Sequence, residues 1–216
     1  MKRRRLGALV LAALVMWPAW ALAGLSHEEA LKALTDRRNA ESRRLGARAL
    51  GETGVMADLP QLAVALRDTD ALVRENAESS MWQVWSRSGD PEIDRLFARG
   101  LEQMNASQGE QAVETFSEII RRKPEFAEGW NKRATVYYLM GEYQKSLADC
   151  DEVMKRNPYH FGALSGYMQI YIRLEYYDRA LEYGRRALEV NPNLGGVRQS
   201  VELLEHAIEQ RRNRTI

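Results

Sequence analysis

The sequence predicts an all-α fold of antiparallel helix pairs, and three observations support that prediction. Apolar residues recur at spacings of three and four along most of the chain, which is typical of amphipathic helices. No segment shows sustained two-residue alternation or the Asn-Gly and Asp-Gly turns of β-hairpins. Pro124, Pro158 and Pro192 are spaced 34 residues apart, and each follows a similar run of helix-forming residues. A fixed period of this length indicates a stacked array of helical units.

The composition is that of a globular protein and argues against some classes of partner. The 216 residues are 45% hydrophobic and 28% charged, with a formal net charge of +1. Residues 2–5 are all basic, whereas residues 24–216 contain more acidic than basic side chains. This balance argues against a nucleic-acid partner. Because Cys150 is the only cysteine, no internal disulfide can form, and packed apolar surface has to stabilise the fold.

Residues 1–23 have the build of a secretory signal peptide. A basic start precedes an apolar run, which ends in a small-x-small sequence before Gly24. We therefore expect cleavage between Ala23 and Gly24 and a periplasmic mature protein. The alternative is an uncleaved membrane anchor, because residues 6–23 are about the minimum length that spans a bilayer. Pro18 interrupts this run and favours the signal peptide, so we expect membrane contact only if the segment is retained.

Residues 24–89 show a second, shorter repeat. The stretch 42–50 aligns with the stretch 73–81, at a separation of 31 residues. Asn39 and Asp70 have the same separation, and both residue types are preferred at helix N-caps. The segment is therefore predicted to contain about two helix pairs.

This N-terminal repeat resembles the HEAT type. The resemblance rests on the marker residues Asp70, Val73, Arg74 and Ala77. Glu78 and Ser80 depart from it, since small apolar residues are usual at their positions. Asp90 as N-cap and Pro91 at the first helical position are predicted to start the next helix and to join the two arrays.

Residues 93–194 divide into three units of 34 residues, 93–126, 127–160 and 161–194. The eighth and twentieth positions hold mostly small residues, which allow two helix backbones to approach closely: Gly100, Ala112, Ala134, Ser146 and Ala180. Each unit is predicted to be two helices with a turn near its middle, at Gly109, Gly141 and Glu175. A proline cannot continue a helix without loss of a hydrogen bond, so each unit ends at its proline.

On these residues the segment resembles tetratricopeptide repeats. The middle unit carries the signature positions Trp130, Ala134, Tyr137, Gly141, Tyr143 and Pro158. The resemblance implies a curved α-solenoid whose first helices line a concave groove. Residues 195–216 then supply a capping helix, because Val197, Val201, Leu204 and Ile208 form an apolar stripe that can cover the end of the array.

No motif in the chain points to catalysis. His27, His160 and His206 belong to no zinc-binding pattern, and no nucleophile elbow, dinucleotide fingerprint or phosphate loop is present. Cys150 faces the inside of its predicted helix pair and is expected to be an inert thiol. His160 is expected to be a turn residue. We therefore expect no enzyme activity, cofactor or metal, although HEAT-type repeats also occur in phycobilin lyases, and a lyase-type enzyme is one alternative.

The resemblance to tetratricopeptide repeats also implies a set of groove residues. They are Phe97, Leu101, Met104 and Asn105 in the first unit, Asn131, Lys132, Thr135 and Tyr138 in the second, and Ser165, Gln169, Ile172 and Arg173 in the third. His206 has the equivalent place on the last helix. Apolar anchors, amides and two cations suit a peptide or a partner helix. The expected function is a non-catalytic, exported protein-interaction adaptor.

Two alternatives stay open at this point. The protein could instead be a structural subunit of a cell-envelope complex, and Phe97, Leu101 and Met104 could pack against the N-terminal helices instead of lining the groove. A carboxylate clamp of the chaperone-binding kind is not expected. Such a clamp needs basic side chains where Gly162 and Gly166 stand.

Overall fold

The structure is a computed structural model, and residues 24–214 are described below. The predicted signal peptide, including Ala23 at the cleavage site, lies outside the described residues. Within residues 24–214 the chain forms eleven α-helices and no strand. None of these helices is long and apolar enough to cross a membrane.

The helices form an N-terminal group and an array of pairs. The N-terminal group comprises α1 (His27–Leu34), α2 (Ala40–Thr53), α3 (Leu59–Ala65) and α4 (Ala71–Trp85), with a short 3-10 turn at Met56–Asp58. The array comprises α5 (Pro91–Asn105), α6 (Gly109–Arg122), α7 (Ala127–Leu139), α8 (Tyr143–Arg156), α9 (Phe161–Arg173), α10 (Tyr177–Val190) and α11 (Gly195–Arg214). The architecture is thus the all-α solenoid that the sequence predicts.

The predicted helix starts are confirmed by their capping hydrogen bonds. The Asn39 side chain accepts from two backbone N–H groups at the start of α2, and Asp70 accepts from the N–H of Val73. Asp90 caps α5 in the same way, with Pro91 at the first helical position. Each side chain satisfies a donor that the first helical turn would otherwise leave without a partner.

The N-terminal group packs α1 and α4 on either side of α2. A Cβ atom at Gly46 would lie 2.6 Å from the carbonyl oxygen of Ala30, so only glycine allows α1 and α2 this close. Arg44 contacts the Asp70 carboxylate at 2.5 Å and ties α2 to the start of α4. The predicted helix pairs are therefore present, whereas their assignment to the HEAT type stays a prediction.

The array consists of the antiparallel pairs α5–α6, α7–α8 and α9–α10. Ala112, Ala134, Ser146 and Ala180 are all buried, as their predicted role between two helices requires. Gly100 lies against the Phe116 ring, where a Cβ atom would come within 2.6 Å. The pairs follow the predicted 34-residue units, except that α5 begins two residues earlier, at Pro91.

The turn inside each pair is built around the fifteenth position of the unit. Ser107, Gly141 and Glu175 stand there with φ angles of 57°, 79° and 60°. The turn that was predicted at Gly109 in the first unit is therefore at Ser107, and α6 starts at Gly109. Glycine adopts positive φ freely, whereas serine and glutamate do so at a steric cost. Ser107 and Glu175 therefore do not indicate by their residue type that they occupy the same turn position as Gly141.

Helix α11 covers the end of the array as predicted. Val201 and Leu204 are buried in the cluster that also contains Met168 and Ala180. A Cβ atom at Gly184 would lie 2.7 Å from Val201 Cγ2, so α10 and α11 are in close contact. The apolar end of the third pair is thereby removed from solvent.

The N-terminal group also folds against the array. Phe161, the first residue of α9, belongs to the same buried cluster as Leu50, Met81 and Trp85. Tyr159, Val190 and Leu194 lie at the edge of that cluster. The N-terminal helices therefore contact the two turns that precede α9 and α11.

Candidate protein-binding site

The first helices of the pairs lie side by side, since α7 contacts both α5 and α9. Their side chains form one surface, here called the first-helix face. Its inner half comprises the N-terminal parts of α7 and α9, including Lys132, Gly162 and Ser165. Its outer half comprises the C-terminal parts of α5, α7 and α9, including Leu101, Met104, Asn105, Thr135, Tyr138, Leu139, Gln169, Ile172 and Arg173. The two halves differ in what covers them.

A buried acid–histidine pair lies beneath the inner half. Glu128 Oε1 is 2.6 Å from His160 Nε2, and both side chains are inaccessible to solvent. His160 Nδ1 accepts the N–H of Ala163 and thus caps α9. Because Nδ1 is an acceptor, the proton sits on Nε2, which donates to the Glu128 carboxylate. His160 is therefore more than the turn residue that the sequence suggests.

The charge of Glu128 is stabilised by its neighbours. Burial acts to raise the pKa of its carboxyl group, but the His160 ring, Lys132 and Asn131 outweigh burial and lower that pKa to about 2. Asn131 Nδ2 donates to the carboxylate at 3.0 Å, and Lys132 Nζ lies 3.4 Å from it. A buried carboxylate with three donors is ionised at neutral pH.

Helix α4 covers this network from outside. The Trp85 ring stacks on the His160 ring at a centroid distance of 4.3 Å, and the Trp82 ring meets His160 edge-on at 5.6 Å. Lys132 Nζ lies 5.5 Å from the centre of the Trp82 ring, which is a cation–π contact. The inner half of the first-helix face is therefore occupied by the protein's own N-terminal helices.

The outer half is open to solvent. Thr135, Gln169, Arg173 and Asn105 are exposed, and Tyr138 and Ile172 are partly exposed. Arg173 Nε donates to the Tyr138 hydroxyl at 3.2 Å and links α9 to α7. Leu139 is 69% exposed, and on α11 Leu203 is 64% exposed, which is high for leucine. On α11 His206 is exposed as well.

Two of the predicted groove residues are buried. Phe97 is only 6% exposed because it packs against Phe116 and Phe126 in the core of the first pair. Asn131 is 7% exposed and is bonded to Glu128. For these two residues the structure corrects the prediction of a groove-lining position.

Leu101 and Met104 are intermediate cases. Both are partly buried and pack on the cluster around Phe97. The sequence left open whether Phe97, Leu101 and Met104 pack against the N-terminal helices. They pack within the first pair instead, and the N-terminal helices contact the turn before α9.

The residues that sequence reasoning missed are Trp82, Trp85, Glu128 and His160. One signal was available in the sequence. Glu78 breaks the pattern of small apolar residues in α4, and its carboxylate accepts a hydrogen bond from Asn191 in the turn before α11. An acidic residue on the packing face of a helix indicates a specific partner on the facing surface.

Two kinds of reactive centre, a metal site and an activated cysteine, can be checked in the described residues. Residues 24–214 contain no group of three or more His, Cys, Asp or Glu side chains placed to hold a metal ion. Cys150 is buried, and burial together with Asp149 and Asp151 raises the pKa of its thiol to about 12. The thiol is therefore protonated at neutral pH and is a poor nucleophile.

A second concavity opens on the side of the second helices. It has a volume of about 760 Å³ between α8 and α10 and is lined by Gln144, Tyr167, Tyr171 and Arg179, among others. Arg179 already lies over the Tyr171 ring, with its Cζ atom 5.6 Å from the ring centre. Because it is a concave surface away from the first helices, this concavity can serve as the control site in tests of binding to the outer half.

Comparison with known sequences places this geometry in context. A family model described as a tetratricopeptide repeat matches residues 169–194. A TPR repeat-containing protein of Rhizobium etli is 32% identical over 120 residues, which are 56% of this chain and 59% of the relative. Hsp70-Hsp90 organizing protein 1 of Glycine max is 27% identical over 55% of this chain, but only 22% of the relative is matched. The chain thus spans less than two thirds of these relatives.

Solved structures give the same fold. The TPR domain of Sgt2 from Aspergillus fumigatus superposes with a TM-score of 0.54 at 20% identity, over 57% of this chain and 83% of that domain. The TPR2B domain of yeast Sti1, solved in complex with pHsp70, gives a TM-score of 0.50 at 24% identity, over 56% of this chain and 99% of that domain. With the repeat geometry described above, these matches show that the array has the fold of tetratricopeptide-repeat domains, with one such repeat recognised at residues 169–194.

Proposed function

We propose that the protein is a non-catalytic adaptor that binds a peptide or a helix of a partner protein on the outer half of the first-helix face. The observation that carries the proposal is the exposed row of side chains on adjacent first helices that no other part of residues 24–214 covers. The names of relatives support a protein partner, since one is an Hsp70-Hsp90 organizing protein and one TPR domain was solved in complex with pHsp70.

The chemistry of the outer half fits such a partner. Tyr138, Leu139 and, on α11, Leu203 offer apolar surface that a bound segment can remove from water. Gln169 and Asn105 carry amides that can pair with a peptide backbone, and Arg173 can bind a carboxylate. This combination of an apolar centre with polar neighbours is typical of helix-in-groove and peptide recognition.

The partner is expected to bind differently from a chaperone carboxylate tail. In the first unit, Phe97 is part of the core and Leu101 packs against it, so neither position offers a polar clamp. Gly162 and Gly166 offer no side chain at all. The outer half has a single arginine, Arg173, and is therefore suited to a mostly apolar segment with at most one acidic contact.

We also propose that the protein is exported to the periplasm. The proposal rests on the basic start, apolar run and small-x-small sequence of residues 1–23. Intact mass measurement of the protein from the cell envelope tests it. A chain that begins at Gly24 is the expected result, and a retained N-terminus would show an anchor instead.

Site-specific photocrosslinking tests the binding site. A benzoylphenylalanine residue is placed at Thr135 or Gln169 on the outer half and, as matched control, at the exposed Gln144 in the concavity between α8 and α10. We expect one discrete crosslinked protein from both outer-half positions and none from Gln144. Capture from Gln144 without capture from the outer half would place the binding site on the second helices and refute the proposal.

A further inference from the structure

We propose that the N-terminal helices are a fixed wall that closes the inner half of the first-helix face, so that a partner is confined to the outer half. The confinement of a partner rests on the proposed function, whereas the wall itself does not. The wall consists of Trp82 and Trp85 on α4, with Lys132 and His160 as the array residues that they contact.

Trp82 of α4 packs directly on the inner half. A Cβ atom at Gly162 would lie 2.6 Å from Trp82 Cη2, so the indole already touches the backbone of α9. The Lys132 ammonium group is engaged by both the Trp82 ring and the Glu128 carboxylate. A bound segment would have to compete with Trp82 for the surface of Gly162 and for the Lys132 ammonium group.

Helix α4 packs against the array as tightly as residues pack in a hydrophobic core. This packing is expected for a permanent wall and not for a lid that a partner could displace. Trp85, His160 and Phe161 are all almost completely buried, and Phe161 shares one cluster with the centre of the N-terminal group. Separation of α4 from the array would expose these rings together with the ionised Glu128. Exposure of so much aromatic surface opposes spontaneous opening.

Polar contacts reinforce the wall at the turn before α11. Asn191 Nδ2 donates to Glu78 at 2.9 Å, and Asn193 Nδ2 donates to the carbonyl oxygen of Leu66 at 2.7 Å. Arg67 donates to the carbonyl oxygen of Val190 at 3.2 Å. The N-terminal helices are thus held at two successive turns of the array, which fixes their orientation as well as their position.

The wall defines the kind of segment that can bind. A partner helix that covered both the inner and the outer half of the first-helix face would collide with Trp82. The accessible surface is the strip from Asn105 through Tyr138 to Arg173. The partner segment would lie along this strip with its apolar side chains towards Tyr138 and Leu139.

Intramolecular photocrosslinking in the full chain tests the wall without a partner. Benzoylphenylalanine at Lys132 should crosslink to the peptide that contains Trp82, and benzoylphenylalanine at Gln169 should give no link to residues 24–89. The link from Lys132 should persist when envelope extract is added and a protein is captured at Gln169. Loss of the Lys132 link in the presence of extract, with capture of the same protein there, would refute the wall.

The two proposals fail in different ways in this experiment. If the link from Lys132 forms but Gln169 captures nothing, the proposed function fails and the wall stands. If Gln169 captures a protein but Lys132 never links to α4, the wall fails and the proposed function stands.

A pair of glycines gives a second measurement that avoids the crosslinker. Gly162→Ala and Gly166→Ala lie one turn apart on α9, but a Cβ atom at Gly166 has only Cys150 Sγ near it, at 3.7 Å. Alanine favours helix at both sites, so the melting temperature of Gly166→Ala should rise by about 2–4 °C. The melting temperature of Gly162→Ala should lie below that of Gly166→Ala by a similar amount, because the new methyl group pushes against Trp82.

The Trp82→Ala background isolates the cause of that difference. There, the melting temperature of Gly162→Ala should come closer to that of Gly166→Ala, since the indole is absent and only the His160 ring, 3.1 Å from the position of the new methyl carbon, still opposes it. Equal shifts in the original chain would show that Trp82 does not press on α9, and would refute the wall.

Discussion

At the residue scale, the Glu128–His160 pair explains how the second and third units and the N-terminal group are held together. Glu128 is on α7, His160 caps α9, and the ring of His160 carries the stacked Trp85 of α4. One buried pair thus connects three helices. Removal of either partner would leave a buried polar group without a hydrogen bond, which is strongly destabilising.

The pair predicts a specific pH dependence of stability. The pKa of Glu128 is about 2 in the folded chain, below the value of 4.5 for a free carboxyl group. A lowered pKa adds stability that is complete above pH 4.5 and is lost as the pH falls towards 2. Glu128→Gln should therefore be less stable at pH 7 and should lose less stability between pH 5 and pH 3 than the unaltered chain.

Urea unfolding at these two pH values measures the effect. Glu110→Gln on α6 is the matched control, because Glu110 is exposed and no charged partner contacts it at hydrogen-bonding distance among the described residues. The control should show the same fall in stability as the unaltered chain. An equal fall for Glu128→Gln would mean that Glu128 does not titrate as its surroundings imply.

Glu175 supplies a second prediction at this scale. Its φ angle is 60°, in the region where a side chain is strained and glycine is not, and Gly141 has the equivalent position in the second unit. Glu175→Gly should raise the free energy of unfolding by about 0.5–1 kcal/mol, and Gly141→Ala should lower it by a similar amount. Chemical denaturation measures both changes, and a destabilised Glu175→Gly variant would contradict the account of the turn.

At the element scale, the close contact of two helices in each pair depends on small residues. Ala180 is fully buried on α10 against α9, next to Met168. Ala180→Leu should overpack this contact and lower the free energy of unfolding by about 1–3 kcal/mol. Ala148→Leu on the exposed side of α8 is the control and should change stability little. Thermal melting measures both variants, and equal melting temperatures would mean that the register of α10 is wrong.

The elements of the array could be predicted from the sequence because one signal was repeated three times. Each proline marked the end of a pair, and small residues marked the close contacts. The turn of the first unit was misplaced because Ser107 gives no signal for positive φ, whereas Gly141 does. Local propensity identifies a turn only where the residue type reflects its backbone.

The covering of the inner half could not be predicted for a different reason. Trp82 on α4 contacts Gly162 on α9, although the two residues are 80 positions apart in the sequence. No periodicity relates them. The sequence placed Asn131 and Phe97 on the groove by analogy with other arrays. Contacts specific to this chain, from Glu128 and from Phe116, bury them instead.

At the scale of the whole molecule, the N-terminal group and the array meet in a single packed interface. The interface uses the turns before α9 and α11, so the same turns that end each repeat also hold the N-terminal helices. One face of the array is thereby divided into a covered half and an open half. The open half is the only part of the first-helix face, within residues 24–214, where a partner can reach several first helices at once.

Comparison of two surface variants tests the central claim most directly. The outer-half variant combines Thr135→Glu, Leu139→Glu and Gln169→Glu, and the control combines Gln111→Glu, Gln144→Glu and Ala148→Glu on exposed positions of the second helices α6 and α8. Each variant adds three negative charges at exposed sites, so both should keep the circular dichroism and melting temperature of the unaltered chain. The protein that crosslinks at Gln169 should then co-purify with the unaltered chain and with the control variant, and its recovery with the outer-half variant should fall at least tenfold. Full recovery with a folded outer-half variant would contradict the account.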